Sequence, residues 1–146
     1  MKKLLSILFL LITIGFSQQI LAAEDDKPFA EERIVLQISD PNPFKQTLVL
    51  NVANNLIKHY GQDKVDVEIV AFGPGLRLLF KDNVNTSRIA GLSSSGVKFA
   101  ACKNTIKGMS KKLGHKPELN SNAIPVSAGV VRIIELENQG FKLIKP

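Results

Sequence analysis

The sequence predicts a three-layer α/β/α sandwich around about five mainly parallel strands, on three observations. Short apolar runs of strand length alternate with segments of helical periodicity from Ile34 to Ile144. The connections between those runs are long enough to hold a helix, which favours parallel pairing with right-handed crossovers. No stretch repeats and none is of low complexity, so the 146 residues leave room for one domain with one substantial core.

The first 23 residues stand outside that domain. Lys2 and Lys3 form a basic start, and Leu4 to Phe16 is apolar apart from Ser6, Thr13 and Gly15. Leu21-Ala22-Ala23 then offers a small-residue cleavage site ahead of Glu24-Asp25-Asp26. This pattern predicts a signal peptide over 1–23 and a periplasmic or secreted location. An uncleaved N-terminal anchor is the alternative, although the apolar run is short of the roughly 20 residues a span needs. No later segment has the length or purity to cross a bilayer, so no stable membrane span is expected after cleavage. Residues 24–32, acidic and interrupted by Pro28, read as a flexible leader, and 33–146 as the domain.

Arg33 to Ser39 contains Ile34, Val35, Leu36 and Ile38, a run suited to a strand covered on both faces. Asp40-Pro41-Asn42-Pro43 is a turn, with Asp40 read as a turn former. From Phe44 the period changes. Val49, Val52, Ala53, Leu56, Ile57 and Tyr60 recur at helical spacing, Lys45, Asn51, Asn54, Asn55 and Lys58 take the opposite face, and Gly61 supplies the stop.

Val65 to Phe72 is the second strand and ends at Gly73-Pro74-Gly75, followed by a short helical piece over Leu76–Phe80. Lys81 to Asn85 is polar and turn-forming. Thr86 is placed to cap another short helix, with Ile89 and Leu92 facing inward and Ser93 to Gly96 ending it. Val97 to Ala101 is a short buried strand running through Cys102 into a helix from about Asn104 to Leu113. Gly114 to Asn122 is loop, and Ile124 to Val126 a brief strand whose Pro125 suits a start or an edge. Ser127-Ala128-Gly129 leads into a helix with Val130, Ile133, Ile134 and Leu136 as an apolar stripe and Gly140 as its stop. Phe141 to Ile144 is the last strand.

Charge and cysteine count narrow the function classes. Without Lys2 and Lys3 the basic count falls from 19 to 17 against 13 acids, and the net charge from +6 to +4. Apart from Lys103, Lys107, Lys111, Lys112 and Lys116 this excess is spread along the chain, with no interleaved aromatics. It reads as a solvated helix face and gives no indication of nucleic-acid binding. One cysteine cannot form an internal disulfide, so the core alone must hold an exported domain together. One cysteine and two scattered histidines give no metal-ligand spacing, and no cofactor is implied. His59, on the polar side of a helix C-terminus, and His115, in a loop, lack acidic orienters for a Cys-His protease.

In an open α/β sheet ligands bind beyond the carboxyl ends of the strands. Four turns gather there: Ser39-Asp40, Gly73-Pro74-Gly75, Cys102-Lys103-Asn104 and Ser127-Ala128-Gly129. Gly73 and Gly75 permit close backbone approach, and amides at the following helix starts favour an anion or a thiolate. Cys102 at such a start feels the helix dipole, and Lys103 adds a positive charge. Both lower the thiol's pKa. The alternative is a thiol packed into the core beside Ala100, since free cysteine is among the most buried residue types.

Three stretches together resemble a known family: Glu68 to Leu79, Gly96 to Thr105 and Gly129 to Pro146 are similar to the DsrE/DsrF-like sulfur-relay proteins, over Ile34 to Pro146 in order. The resemblance implies a small α/β/α fold and homo- or hetero-oligomers such as trimers and hexamers. It also implies a persulfide held on a cysteine matching Cys102 in Phe-Ala-Ala-Cys-Lys-Asn-Thr. The best-understood members work in the cytoplasm, whereas this chain is expected to be exported.

The resulting expectation is a periplasmic carrier that takes sulfur onto Cys102 from a donor protein or small thiol and passes it to an acceptor thiol. Lys103 and the amides near Asn104 and Thr105 would hold the thiolate, with Gly73, Pro74, Gly75, Ser127 and Gly129 lining the pocket. Two alternatives stay open. One is an oligomeric binding or assembly module with a silent buried cysteine. The other is a thiol redox sensor, which without a resolving cysteine needs a second subunit or a small thiol.

Overall fold

The structure, a computed structural model, describes residues 27–146; the predicted signal peptide and residues 24–26 lie outside them. Its elements follow the order β1 (Glu32–Ile38), α1 (Pro43–Tyr60), β2 (Val65–Ala71), a 3-10 helix over Gly73–Leu79, α2 (Thr86–Ser94), β3 (Lys98–Cys102), α3 (Lys103–Leu113), β4 (Ala123–Val126), α4 (Gly129–Asn138) and β5 (Lys142–Ile144). The five strands form one sheet in the order β4-β3-β2-β1-β5, and every pairing is parallel. All seven residues of β2 are buried, as a central strand covered on both faces requires.

Chain direction assigns the helices to their layers. The steps from β1 to β2, β3 and β4 all move the same way across the sheet, so crossovers of one hand put α1, the 3-10 helix, α2 and α3 on one face. The step from β4 to β5 runs back across the whole sheet, and the same hand puts α4 on the other face. The cores confirm both assignments. Ile34, Leu36, Ile69 and Phe99 pack with Leu50, Leu76, Ile89 and Ile106 on the first face. Val35, Val70 and Ala100 pack with Ile133, Leu136 and Phe141 on the second.

Local signals explain the ends. The Asp40 carboxylate accepts from the Asn42 N–H at 2.9 Å, and the Asn42 side chain caps α1 through the Phe44 N–H at 2.9 Å, with Pro43 in the first turn. Gly61 stops α1 at φ 88°. Helix α2 starts at Thr86 as expected, but Thr86 is not its cap. Its hydroxyl donates to the Asn83 carbonyl at 2.6 Å, and Asn85 holds the cap position.

The stripe predicted for α4 divides. Ile133 and Leu136 are buried, whereas Val130 and Ile134 stand 55% and 52% exposed. The cause is angular: Gly129, Ile133 and Leu136 follow the i, i+4, i+7 rule and share one face, while Val130 and Ile134 lie about 100° round the helix. Val131, Ile124 and Leu143 are also exposed, and the last two point to the same side of the sheet by register with Ala100 and Val35. A helix of ten residues cannot cover a face of five strands.

One ion pair fixes α4 in place. Glu68, 3% exposed in the middle of β2, receives Arg132 Nε and Nη2 at 2.7 Å each. This planar two-point contact sets both the height and the rotation of the helix over the sheet. The Glu68 hydrogen bond raises the Arg132 pKa against the opposing effect of burial.

Removing one member of such a pair strands the other charge in a buried site. Arg132→Leu is expected to lower the unfolding free energy by about 3 kcal/mol in urea titrations, and Glu68→Leu with Arg132→Leu to recover most of that loss.

Candidate functional site

Cys102 closes β3 and is also the N-cap of α3. In place of the usual capping oxygen its Sγ accepts the Thr105 N–H at 3.4 Å, the third amide of the helix. By register Cys102 follows Lys98 and Ala100 on the α4 side of the sheet, opposite Val126 of β4. The start of α4 therefore lies over it. Ala128, the N-cap of α4, makes no side-chain capping bond, and the first amide of that helix, from Gly129, is among the groups that lower the thiol's pKa.

The sulfur thus sits at two helix N-termini. Burial pushes its pKa up. Hydrogen bonds from the Thr105 hydroxyl and from the Thr105, Gly129 and Asn104 amides pull it down, and their sum leaves the thiol more acidic than usual. The Thr105 hydroxyl, one of the groups that lower the thiol's pKa, also accepts the Gly73 N–H at 2.9 Å through its oxygen. That second bond locks the hydroxyl's position.

The predicted residues divide into three groups. Asn104, Thr105 and Gly129 meet at Cys102, and Gly73 reaches it through Thr105. Gly75 plays a packing role: a Cβ there would lie 2.5 Å from the Ile38 carbonyl oxygen, so only glycine allows the 3-10 helix this close to the end of β1. Gly129 is similarly confined, because a Cβ would meet the Phe72 ring at 2.8 Å. Lys103 and Ser127 are exposed, and Lys103 is not among the groups that shift the thiol. Hydrogen bonds lower the thiol's pKa, where the sequence pointed in part to a lysine.

Gly73, Pro74 and Thr105 line a pocket of about 800 Å³ between the start of α1, the 3-10 helix and α3, and Cys102, only 4% exposed, is not in its wall. Gln46, Asn83, Asn85, Phe80 and Met109, which also line it, carried no mark in the sequence beyond the polar turn at 81–85. Among the described residues no cluster of three or more His, Cys, Asp or Glu could hold a metal ion. No helix among them is long and apolar enough to cross a membrane.

No protein-family profile matches the chain, and no curated protein matches it. Solved structures similar to the chain include two. One is the protein of unknown function MTH1491 from Methanobacterium thermoautotrophicum, at a TM-score of 0.71 and 26% identity, with 80% of this chain aligned to 100% of that one. The other is the ychN protein from E. coli, at a TM-score of 0.59 and 12% identity, over 79% of this chain and 99% of that one. The second likeness concerns the fold alone. The α/β architecture expected from the sequence is the one these two proteins share.

Thiolate absorbance against pH, with Cys102→Ser as the blank, is expected to give a midpoint below the free-thiol value of about 8.5. Thr105→Val removes the hydroxyl proton from the sulfur and the acceptor from the Gly73 amide. The midpoint should rise, and stability should fall by about 1–3 kcal/mol for the stranded amide.

Proposed function

We propose that this chain is an exported sulfur-handling protein that carries sulfur as a persulfide on Cys102 and passes it to an acceptor thiol. The observation that carries the reading is the position of Cys102 at the N-cap of α3, its Sγ accepting the Thr105 N–H at 3.4 Å, within a set of four donors, three of them backbone amides at two helix starts, that lower its pKa. Such a set favours the thiolate, which is the nucleophilic form. The resemblance to the DsrE/DsrF-like proteins, which matches their persulfide position to Cys102, adds to it.

The chemistry balances without an oxidant. The Cys102 thiolate attacks the outer sulfur of a donor R–S–SH, an S–S bond forms, and the donor's own S–S bond breaks to release RS⁻. An acceptor thiolate then attacks the outer sulfur of the Cys102 persulfide, and Cys102 leaves as thiolate, stabilised again by the same four donors. No cofactor takes part in either step.

The second reading is an assembly module with a silent cysteine, and the 4% exposure of Cys102 favours it. Both readings share a homo-oligomer. The exposed apolar side chains Val130, Val131 and Ile134 on α4, with Ile124 and Leu143 beside them, form the kind of surface that a second copy of the chain covers.

Incubation with glutathione persulfide followed by intact-mass measurement is expected to add one sulfur atom to the wild type and none to Cys102→Ser. A native Cys102 that neither gains sulfur nor reacts with a small alkylating reagent until the protein is unfolded would instead establish the module. In light scattering after size exclusion the wild type is expected as an oligomer and Val131→Asp with Ile134→Asp as a folded monomer.

A further inference from the structure

The pocket on the α1/α3 side belongs to no part of the sulfur reading, and its wall has the composition of a ligand site. Its volume of about 800 Å³ falls within the roughly 300–1,000 Å³ range of small-molecule pockets. Pro43, Phe80, Met109 and Leu113 make it mostly apolar. Against these stands a group of side-chain amides that is already ordered. Gln46 and Asn85 are 4% and 6% exposed. Asn83 links them, donating to Gln46 Oε1 at 3.3 Å and to the Arg77 carbonyl at 2.9 Å while accepting from Asn85 Nδ2 at 3.2 Å.

Charge at the pocket favours one sign. Arg77 and Lys112 line it and form no ion pair among the described residues, against the single carboxylate of Asp82. Helix α3, which forms one wall, carries Lys103, Lys107, Lys111 and Lys112 and no acid. The same wall contains Gly108 in mid-helix, where glycine is a poor helix former and an added Cβ would meet nothing within 4 Å. The missing side chain leaves a bay open on the pocket.

We infer that this pocket binds a small anionic amphiphile, with its carboxylate at Arg77 and Lys112 and its apolar body along Phe80, Met109 and Leu113. The amide group of Gln46, Asn83 and Asn85 offers fixed polar contacts that set how the ligand lies. The assignment is independent of whether Cys102 carries sulfur, because the thiol is not part of the wall.

The experiment measures binding of decanoate to the full folded protein by calorimetry, beside decanol and decyltrimethylammonium as neutral and cationic counterparts of the same chain. Decanoate is expected to bind at least tenfold more tightly than either. Arg77→Ala with Lys112→Ala should remove that preference. Gly108→Leu, which fills the bay with a better helix former, should raise the melting temperature and abolish binding. Val131→Asp, on the far face, should leave the affinity unchanged. Absence of decanoate binding at millimolar concentration, equal affinity for the cationic amphiphile, or undiminished binding in a folded Gly108→Leu protein would each overturn the assignment. Loss of binding in Val131→Asp would do the same, by moving the ligand to the α4 face.

Discussion

The reversal of chain direction after β4 is the constraint on which the arrangement of the site depends. Three crossovers of one hand fill one face of the sheet, and a fourth of the same hand, running backwards, can pass only over the other. Helix α4 therefore begins above the carboxyl end of β3, where Cys102 is. Two helices of different layers start within hydrogen-bonding reach of one sulfur, which neighbouring helices on one face would not do. The Glu68–Arg132 pair then fixes the rotation of α4, and with it the direction in which the Gly129 amide points. A bond in the middle of the sheet thus bears on the chemistry at its edge.

The thiol is a contest between two effects of the same enclosure. Packing under α4 removes water, which disfavours charge, and it also brings amides to hydrogen-bond distance, which favours charge. The second effect prevails because Cys102 is itself a helix cap. Its sulfur satisfies amides that have no partner within their own helices, so no other interaction is lost in supplying them. An apolar side chain here would leave the same amides without acceptors. Burial alone therefore does not set the pKa of Cys102, although it does restrict what can reach it.

Much of this was legible in the sequence. Alternating strand and helix periods gave the architecture, and the place of Cys102 between an apolar strand and a helix start marked the sheet edge. The face was a different matter. Side chains in a strand alternate, so the direction of Cys102 depends on register to a single residue, and its predicted strand ended at Ala101, one residue short of the observed β3. The outward half of α4 was misread for an equally physical cause. Val130 and Ile134 look like core by composition, and only the width of the sheet relative to one helix shows that they are left outside. Glu68 had a faint signal, a carboxylate in the interior of an apolar strand, while its partner 64 positions later had none. The pocket on the α1/α3 side joins residues from 43 to 113, and no local pattern connects them.

Thr105 is the boundary between the two regions. Its hydroxyl faces the sulfur, its oxygen holds the Gly73 amide, and the same residue lines the pocket on the first face. Cys102 is not in that pocket's wall, and by register its side chain lies on the α4 side of the sheet, so the approach to the sulfur is from that side. That approach lies beside the apolar surface proposed for a second copy of the chain. In the proposed oligomer, access to Cys102 would therefore depend on the assembly as much as on the fold. A partner seated against α4 would either cover that side or form its outer wall, according to whether its contacts centre on Val130, in the first turn of the helix, or on Ile134, one turn further along.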